Sequence, residues 1–121
     1  ALHGGFLYVA THGGELLAVR TSTGEVTWSD TIGWHAWSSP LVVDGQLVVS
    51  VNCGGGGGLR GYRLTNPAHP VVAWEMDLHA GCIESTPAIW KGRIYVGDRA
   101  GFFYAFGDAA AEAAGRLGLG S

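Results

Sequence analysis

Histidine, cysteine and serine are the residue types in this sequence that could bind a metal or act as a nucleophile. The five histidines are scattered, and no two are four residues apart with a downstream carboxylate at metal-binding spacing. Ser38-Ser39-Pro40 recurs 47 residues later as Ser85-Thr86-Pro87, and neither copy lies in a Gly-x-Ser-x-Gly nucleophile turn. The recurrence predicts that these hydroxyls bond the backbone where a strand begins. No metal site and no catalytic residue is therefore predicted.

A repeated pattern of turn glycines and apolar runs indicates which elements position the polar residues. Gly5, Gly45 and Gly92 each precede an apolar run, and a second glycine turn follows eight or nine residues later. Asp44-Gly45 between two apolar runs favours a hairpin, because glycine tolerates the positive φ of a two-residue turn. Each unit is predicted to contain four short antiparallel strands, A to D, repeating every 40 to 47 residues.

The apolar runs predict the fold class. Runs such as "LVVSV" and "FLYVA" are apolar at nearly every position, so both faces of each sheet must be covered. Repeated four-stranded sheets of this kind are typical of β-propeller blades. A β-sandwich is the competing arrangement, but it requires no sequence repeat. We predict an all-β fragment of a propeller, about two and a half blades long.

The repeat also predicts the domain boundaries. Residues 1–107 form the partial propeller: strands B to D of blade 1 over about 3–30, blade 2 over about 36–78, and strands A to C of blade 3 over about 83–107. The alanine- and glycine-rich tail, 108–121, is expected to be disordered. Because two and a half blades are too few to close a propeller, the expected partners are the remaining blades of a larger propeller or, alternatively, other copies of the chain.

Charge and hydropathy exclude two classes of partner. The net charge is −3 and only 14% of the residues are charged, so no basic patch exists for a phosphate backbone. The longest apolar runs have the length of strands, and none is long enough to span a membrane. Nucleic acid and a membrane span are therefore not expected.

One segment carries a family resemblance. "AVRTSTGEVTW", residues 18–28, resembles the tryptophan-docking motif A-x-D-x-x-T-G-x-x-x-W of quinoprotein-type propellers, with Arg20 in place of the aspartate. The resemblance covers about residues 3–107 through the repeat. It implies that each strand D tryptophan packs on a small residue of a neighbouring blade. The residues given this structural role are Trp28, Trp74, Ala18, Gly61 and Ala105.

Candidate binding residues occupy positions where the repeat frame is kept but the residue type changes. They fall in the crossovers that lead into strand A and in the B–C turns, which an up-and-down blade places on one face, at the mouth of the central channel. A protein or small-molecule ligand is expected at this face, with Trp34 and Trp37 as its aromatic pair. The full set is Trp34, His35, Trp37, Glu84, Arg99, His12 and Asn52. The alternative is ordinary loop variation.

The two cysteines are predicted to lie on the same face. Cys53 opens the B–C turn of blade 2, and Cys82 lies in the crossover that leaves the same blade. A disulfide between them is expected, and it would require an oxidising compartment. Two separate thiols are the alternative.

The family is named after dehydrogenases that use pyrroloquinoline quinone, adjacent cysteines and a calcium ion. This chain has no adjacent cysteines, and no Asp or Asn matches a calcium ligand. The resemblance therefore implies a non-catalytic binding or scaffold module without a cofactor, extracellular or periplasmic. The alternative is a fragment of a quinone-dependent alcohol or sugar dehydrogenase whose cofactor residues lie in other blades.

Overall fold

A computed structural model describes residues 1–34, 36, 38–51, 58–78 and 82–107. Within these ranges the chain is all β, with eleven strands and no helix. The strands are β1 (Leu2–His3), β2 (Phe6–Ala10), β3 (Glu15–Arg20), β4 (Val26–Thr31), β5 (Leu41–Val43), β6 (Gln46–Val51), β7 (Gly58–Arg63), β8 (Val71–Asp77), β9 (Ala88–Trp90), β10 (Arg93–Gly97) and β11 (Phe103–Phe106).

Each repeat unit forms its own antiparallel sheet. Blade 1 has the order β1-β2-β3-β4, blade 2 has β5-β6-β7-β8, and blade 3 has β9-β10-β11. This arrangement confirms the predicted propeller blades. The predicted tail, 108–121, lies outside the described residues.

The A–B hairpin turns confirm the turn prediction made from the glycines. The two central residues of the turn in blade 2, Asp44 and Gly45, have φ values of 49° and 72°. Those of blade 3, Lys91 and Gly92, have 50° and 75°. Positive φ at both central positions is the geometry whose twist matches a two-residue hairpin.

One strand in blade 1 was missed. The sequence predicted that blade 1 lacks strand A, but Leu2–His3 forms it, pairing Leu2 with Leu7 and His3 with Phe6. Two residues are too few to show an apolar pattern, so the strand carries no sequence signal of its own.

The blades pack face to face, and the core lies between them. Between blades 1 and 2 the buried side chains include Tyr8, Leu16 and Ala18 on one side, and Leu47 and Tyr62 on the other. Between blades 2 and 3 a second cluster contains Leu59, Ile83, Val96, Tyr104 and Phe106. Burial of both faces of blade 2 explains why β6 is buried at five successive positions.

The strand D tryptophans lie over the small residues, but within their own sheet. Trp28 of β4 pairs with Ala18 of β3, and Trp74 of β8 pairs with Gly61 of β7. Antiparallel register sets each tryptophan directly opposite its small residue within one sheet.

The packing of each tryptophan on a neighbouring blade stays a prediction, and Trp74 does pack against the cluster that contains Tyr104 and Phe106 of blade 3. Trp28 also contacts the neighbouring blade, where its ring and that of Tyr62 form a T-shaped pair at a centroid distance of 5.3 Å.

Ala105 differs from the other two small residues. It pairs with Tyr95 of β10, and its strand, β11, has no fourth strand beside it among the described residues.

Candidate functional site

We use "turn face" for the end of the stack formed by the B–C turns and the crossovers: the described residues within 11–14, 32–40, 82–87 and 98–102. In blade 1 this end is fixed by backbone hydrogen bonds between turn and crossover. Ile32 N–H donates to the Gly14 carbonyl at 2.7 Å, and Ala36 N–H donates to the Thr11 carbonyl at 3.2 Å. A Cβ on Gly14 would collide with the backbone of Gly33, so only glycine allows this approach.

The crossover of blade 1 presents an aromatic side chain to solvent. Trp34 is 73% exposed, an unusual state for so large an apolar side chain. His12 lies exposed in the B–C turn that contacts the same crossover. The structure therefore brings the segments that carry Trp34 and His12 together.

Blade 3 places a charged pair on the same end. Arg99 Nε lies 3.4 Å from Glu84 Oε1, and Arg99 N–H donates to the Cys82 carbonyl at 3.0 Å. The Arg99 side chain is 64% exposed and that of Glu84 is 21% exposed. Oε2 of Glu84 is buried with no hydrogen-bond partner in the described part of the chain.

Asp98 holds the turn from which Arg99 projects. Its Oδ1 accepts hydrogen bonds from Ala100 N–H at 2.9 Å and Phe102 N–H at 3.0 Å, and its Oδ2 accepts one from the Tyr104 hydroxyl at 2.9 Å. Desolvation acts to raise the pKa of Asp98, but these hydrogen bonds to the charged form lower it below its ordinary value. The carboxylate therefore holds the backbone of the turn that carries Arg99.

The two crossovers are joined through the recurring hydroxyls. Ser39 N–H donates to Thr86 Oγ1 at 2.9 Å, Ser85 Oγ donates to the Gly97 carbonyl at 2.9 Å, and the buried Ser50 donates to the Ser85 carbonyl at 2.8 Å. The prediction that the repeated hydroxyls bond backbone groups is thus confirmed for the second copy, Ser85 and Thr86, and stays a prediction for Ser38 and Ser39. These bonds hold the parts of the turn face that belong to different blades in a fixed arrangement.

Several predicted residues cannot be placed on this face. His35, Trp37, Asn52 and Cys53 lie outside the described residues. Cys82 is half-buried and is not a free thiol. The Cys53–Cys82 disulfide stays a prediction.

Sequence reasoning missed a charged cluster between blades 1 and 2. Arg60 Nη1 lies 3.2 Å from Asp30 Oδ2, Arg60 Nε lies 2.8 Å from Glu75 Oε1, and the Tyr62 hydroxyl donates to Asp30 Oδ2 at 2.6 Å. Only 14% of the Arg60 side chain is exposed. The sequence feature that could have revealed the cluster is Arg60 itself, a charged residue at the repeat position that Leu17 occupies in blade 1 and Tyr104 occupies in blade 3.

Sequence reasoning also missed a cavity of about 600 Å³ between blades 2 and 3. Trp74, Phe106 and Ile94 form part of its apolar wall, and Glu75 and Lys91 also line it. The equivalent space between blades 1 and 2 is filled by the C–D turn of blade 2: Tyr8 donates to the Pro67 carbonyl at 2.7 Å, and Thr27 donates to the Ala68 carbonyl at 2.8 Å.

The described residues show neither a metal centre nor a membrane span. Among them, no group of three or more His, Cys, Asp or Glu side chains could hold a metal ion. They include no helix that is long and apolar enough to cross a membrane. The chain also has no adjacent cysteines.

Comparison with known proteins agrees with the blade architecture. The sequence profile of the PQQ-repeat family described as outer membrane protein assembly factor BamB matches residues 1–105. The chain belongs to this family. PQQ-repeat relatives include the quinoprotein alcohol dehydrogenase PedH of Pseudomonas putida, which is 28% identical over 79 residues, covering 61% of this chain and 13% of PedH.

Two solved PQQ-repeat propellers are similar in structure. BamB from Moraxella catarrhalis has a TM-score of 0.73 at 16% identity, over 92% of this chain and 36% of that one. The quinohemoprotein alcohol dehydrogenase from Comamonas testosteroni has a TM-score of 0.65 at 18% identity, over 87% of this chain and 18% of that one. At these identities the likeness establishes the fold. The chain spans little more than a third of BamB and less than a fifth of either dehydrogenase.

Proposed function

We propose that this chain is a non-catalytic binding or scaffold module of a PQQ-repeat propeller, and that it binds a protein partner through the turn face. The observation that carries the proposal is Trp34, whose side chain is 73% exposed on a crossover fixed by backbone hydrogen bonds. An exposed tryptophan with an arginine on the same surface is the combination of residue types that protein-binding hot spots favour.

The charged pair on the same face supports this reading. Arg99 is exposed and pairs with Glu84 on a turn that Asp98 holds, so its guanidinium is available to bind a partner carboxylate. His12 in the neighbouring turn extends the same surface. The sequence predicts that His35, Trp37 and Asn52 also belong to it.

The proposed location is outside the cytoplasm, in the periplasm or the extracellular space. The family description as an outer membrane assembly factor supports it. The predicted disulfide agrees with it, because disulfides persist in oxidising compartments.

The test replaces Trp34 with a photo-crosslinking aromatic amino acid in the protein expressed in its native host. A matched control carries the same amino acid at Thr23, an exposed position in the C–D turn at the opposite end of blade 1. We expect an adduct of discrete mass from position 34 that is absent from position 23, and that weakens when Arg99→Ala is added. Equal labelling at both positions, or none at either, would contradict the proposal.

A second candidate function is favoured by the match to PedH over 79 residues. In that reading the chain is part of a pyrroloquinoline quinone-dependent dehydrogenase whose quinone and calcium ligands lie in other blades. Crosslinking at position 34 does not address this candidate, so it needs the separate redox measurement given at the end of the Discussion.

A further inference from the structure

The guanidinium of Arg60 reaches from blade 2 to the last residues of β4 in blade 1. Its Nη1 donates to the Thr31 carbonyl at 3.0 Å and to Asp30 Oδ2 at 3.2 Å, and its Nε donates to Glu75 Oε1 of blade 2 at 2.8 Å. The Tyr62 hydroxyl, also on blade 2, donates to the same aspartate oxygen at 2.6 Å. Blade 2 therefore holds both a side chain and the main chain of blade 1 where β4 ends.

The end of β4 is the beginning of the crossover that carries Trp34. Only Ile32 and Gly33 separate Thr31 from this tryptophan. Ile32 is 1% exposed in the core between blades 1 and 2, and Gly33 lies against Gly14 with a φ of 116°. Because both residues are packed, holding Thr31 also restricts where the Trp34 backbone lies.

The crossover is held from two sides. The amides of Ile32 and Ala36 bond to the B–C turn of blade 1, which fixes the crossover to its own blade. The Arg60 bonds fix its beginning to blade 2. Trp34 and Arg99 belong to blades 1 and 3, so their relative position depends on how blade 1 is held against blade 2, which lies between them.

The arginine link and the exposed tryptophan occur at the same junction. At the junction of blades 2 and 3, the repeat positions of the ion pair are Met76 and Tyr104, which cannot pair as charges. In the crossover that begins there, the repeat position of Trp34 is Gly81. The link is therefore no general feature of the blades, and it accompanies the crossover that presents an aromatic side chain.

We propose that Arg60 is a positioning residue for the turn face. Its guanidinium bridges Glu75 of blade 2 and the Thr31 carbonyl of blade 1, and this bridge holds Trp34 in place for a partner. The fork of a guanidinium donates in two directions at once, and a lysine ammonium lacks that geometry. A surface that is already ordered loses less conformational freedom on binding. The step from a held Trp34 to partner binding rests on the function proposed above, whereas the holding of the crossover does not.

Amide hydrogen exchange of the whole protein, with all of its blades, tests the holding of the crossover without a partner. Exchange of residues 30–34 is followed by mass spectrometry of overlapping peptides at a series of low urea concentrations. Exchange through local opening does not depend on urea, whereas exchange through global unfolding accelerates with it. In Arg60→Met we expect the urea-independent exchange of this segment to be at least about tenfold faster, because hydrogen bonds to a charged group are lost. A residue that contributed only to global stability would leave this exchange at the wild-type rate.

Two further variants make the test specific. Arg60→Lys keeps a positive charge beside Asp30 and Glu75 but loses the fork, so the segment should again exchange faster than in the wild type. This variant also replaces Arg60→Met if the latter does not fold. Arg20→Met is the matched control, because its pair with Glu25 lies at the opposite end of blade 1, and it should leave the exchange of residues 30–34 unchanged.

Crosslinking then connects the held crossover to binding. With the photo-crosslinking amino acid at position 34, Arg60→Met should lose most of the adduct and Arg20→Met should keep it. Wild-type exchange of residues 30–34 in either Arg60 variant, or a full adduct in Arg60→Met, would overturn the proposal. If no adduct forms at position 34 even with Arg60 present, the function proposed above fails, and the exchange rates alone decide whether Arg60 positions the crossover.

Discussion

The indole ring of Trp74 lies directly over Gly61, its cross-strand partner, and a Cβ built on Gly61 would collide with the ring. The small residue is thus required by the tryptophan of its own sheet. The same register sets Trp28 over Ala18 in blade 1.

Gly61→Ala is therefore expected to destabilise the protein by about 1–3 kcal/mol, because the added methyl group overpacks the sheet. Gly13→Ala is the matched control: its Cβ would meet only Thr11 Oγ1, at 3.7 Å, and no positive φ is involved. Urea unfolding of the two variants measures the difference. Equal stabilities would refute the docking role of Gly61.

The charged cluster of Arg60 should stabilise the junction of blades 1 and 2. Arg60→Met leaves Asp30 and Glu75 without their cation, and a loss of about 1.5–3 kcal/mol is expected because the arginine is largely buried. Arg20→Met is the control, since its pair with Glu25 has side chains that are 42% and 64% exposed and should contribute about 1 kcal/mol or less. If urea unfolding shows that both variants lose the same unfolding free energy, burial of the Arg60 cluster does not increase its contribution to stability.

The tyrosine of this cluster predicts an alkaline limit of stability. Burial, and then the hydrogen bond to Asp30, raise the pKa of Tyr62 above its ordinary value, and nearby Arg60 only partly opposes this. A raised folded-state pKa gives stability that is present below about pH 10 and is lost as the pH rises further.

Tyr62→Phe should therefore make the fall in unfolding free energy above pH 10 less steep. Part of the fall should remain, because burial also raises the pKa values of Tyr8 and Tyr104. Urea unfolding between pH 8 and 11 checks the slope. Identical slopes in both proteins would contradict this account of Tyr62.

Reduction tests the predicted disulfide between Cys53 and Cys82. The bond would close a loop of about 30 residues, for which the loop-closure entropy gives a ceiling of about 3.6 kcal/mol. Adding a phosphine reductant should lower the melting temperature, and a Cys53→Ser/Cys82→Ser double variant should melt at the reduced temperature with or without reductant. Two thiols titrated in unfolded, non-reduced protein would exclude the bond.

The features of the fold that recur in each repeat unit, the strands and their hairpin turns, could be predicted from the sequence. Gly45 and Gly92 mark hairpins because the positive φ of the turn favours glycine, and a glycine at a repeated position can be recognised in the sequence alone. The pairing of Trp74 with Gly61 was not predicted, because spacing along the chain does not fix cross-strand register. The Arg60–Asp30 pair joins residues thirty positions apart on different blades, so only the packing of the blades reveals it.

The candidate site was predictable only in part, for a similar reason. Arg99 and Glu84 were chosen as variable positions in the repeat frame, and the structure brings them within 3.4 Å of each other. The cavity beside Trp74 had no such sequence signal. Between blades 1 and 2 the turn that contains Pro67 fills the equivalent space, and blade 3 has no described turn at that position.

The most direct test of the central proposal, a propeller module that binds a partner and does not catalyse quinone chemistry, is a dye-reduction assay on the whole protein, with all of its blades, purified from its native host. Pyrroloquinoline quinone, Ca²⁺ and a series of primary alcohols are added, and reduction of an artificial electron acceptor is followed by absorbance. We predict no alcohol-dependent reduction and no saturable binding of the quinone. Saturable quinone binding with alcohol-dependent dye reduction would contradict the account and establish the dehydrogenase reading.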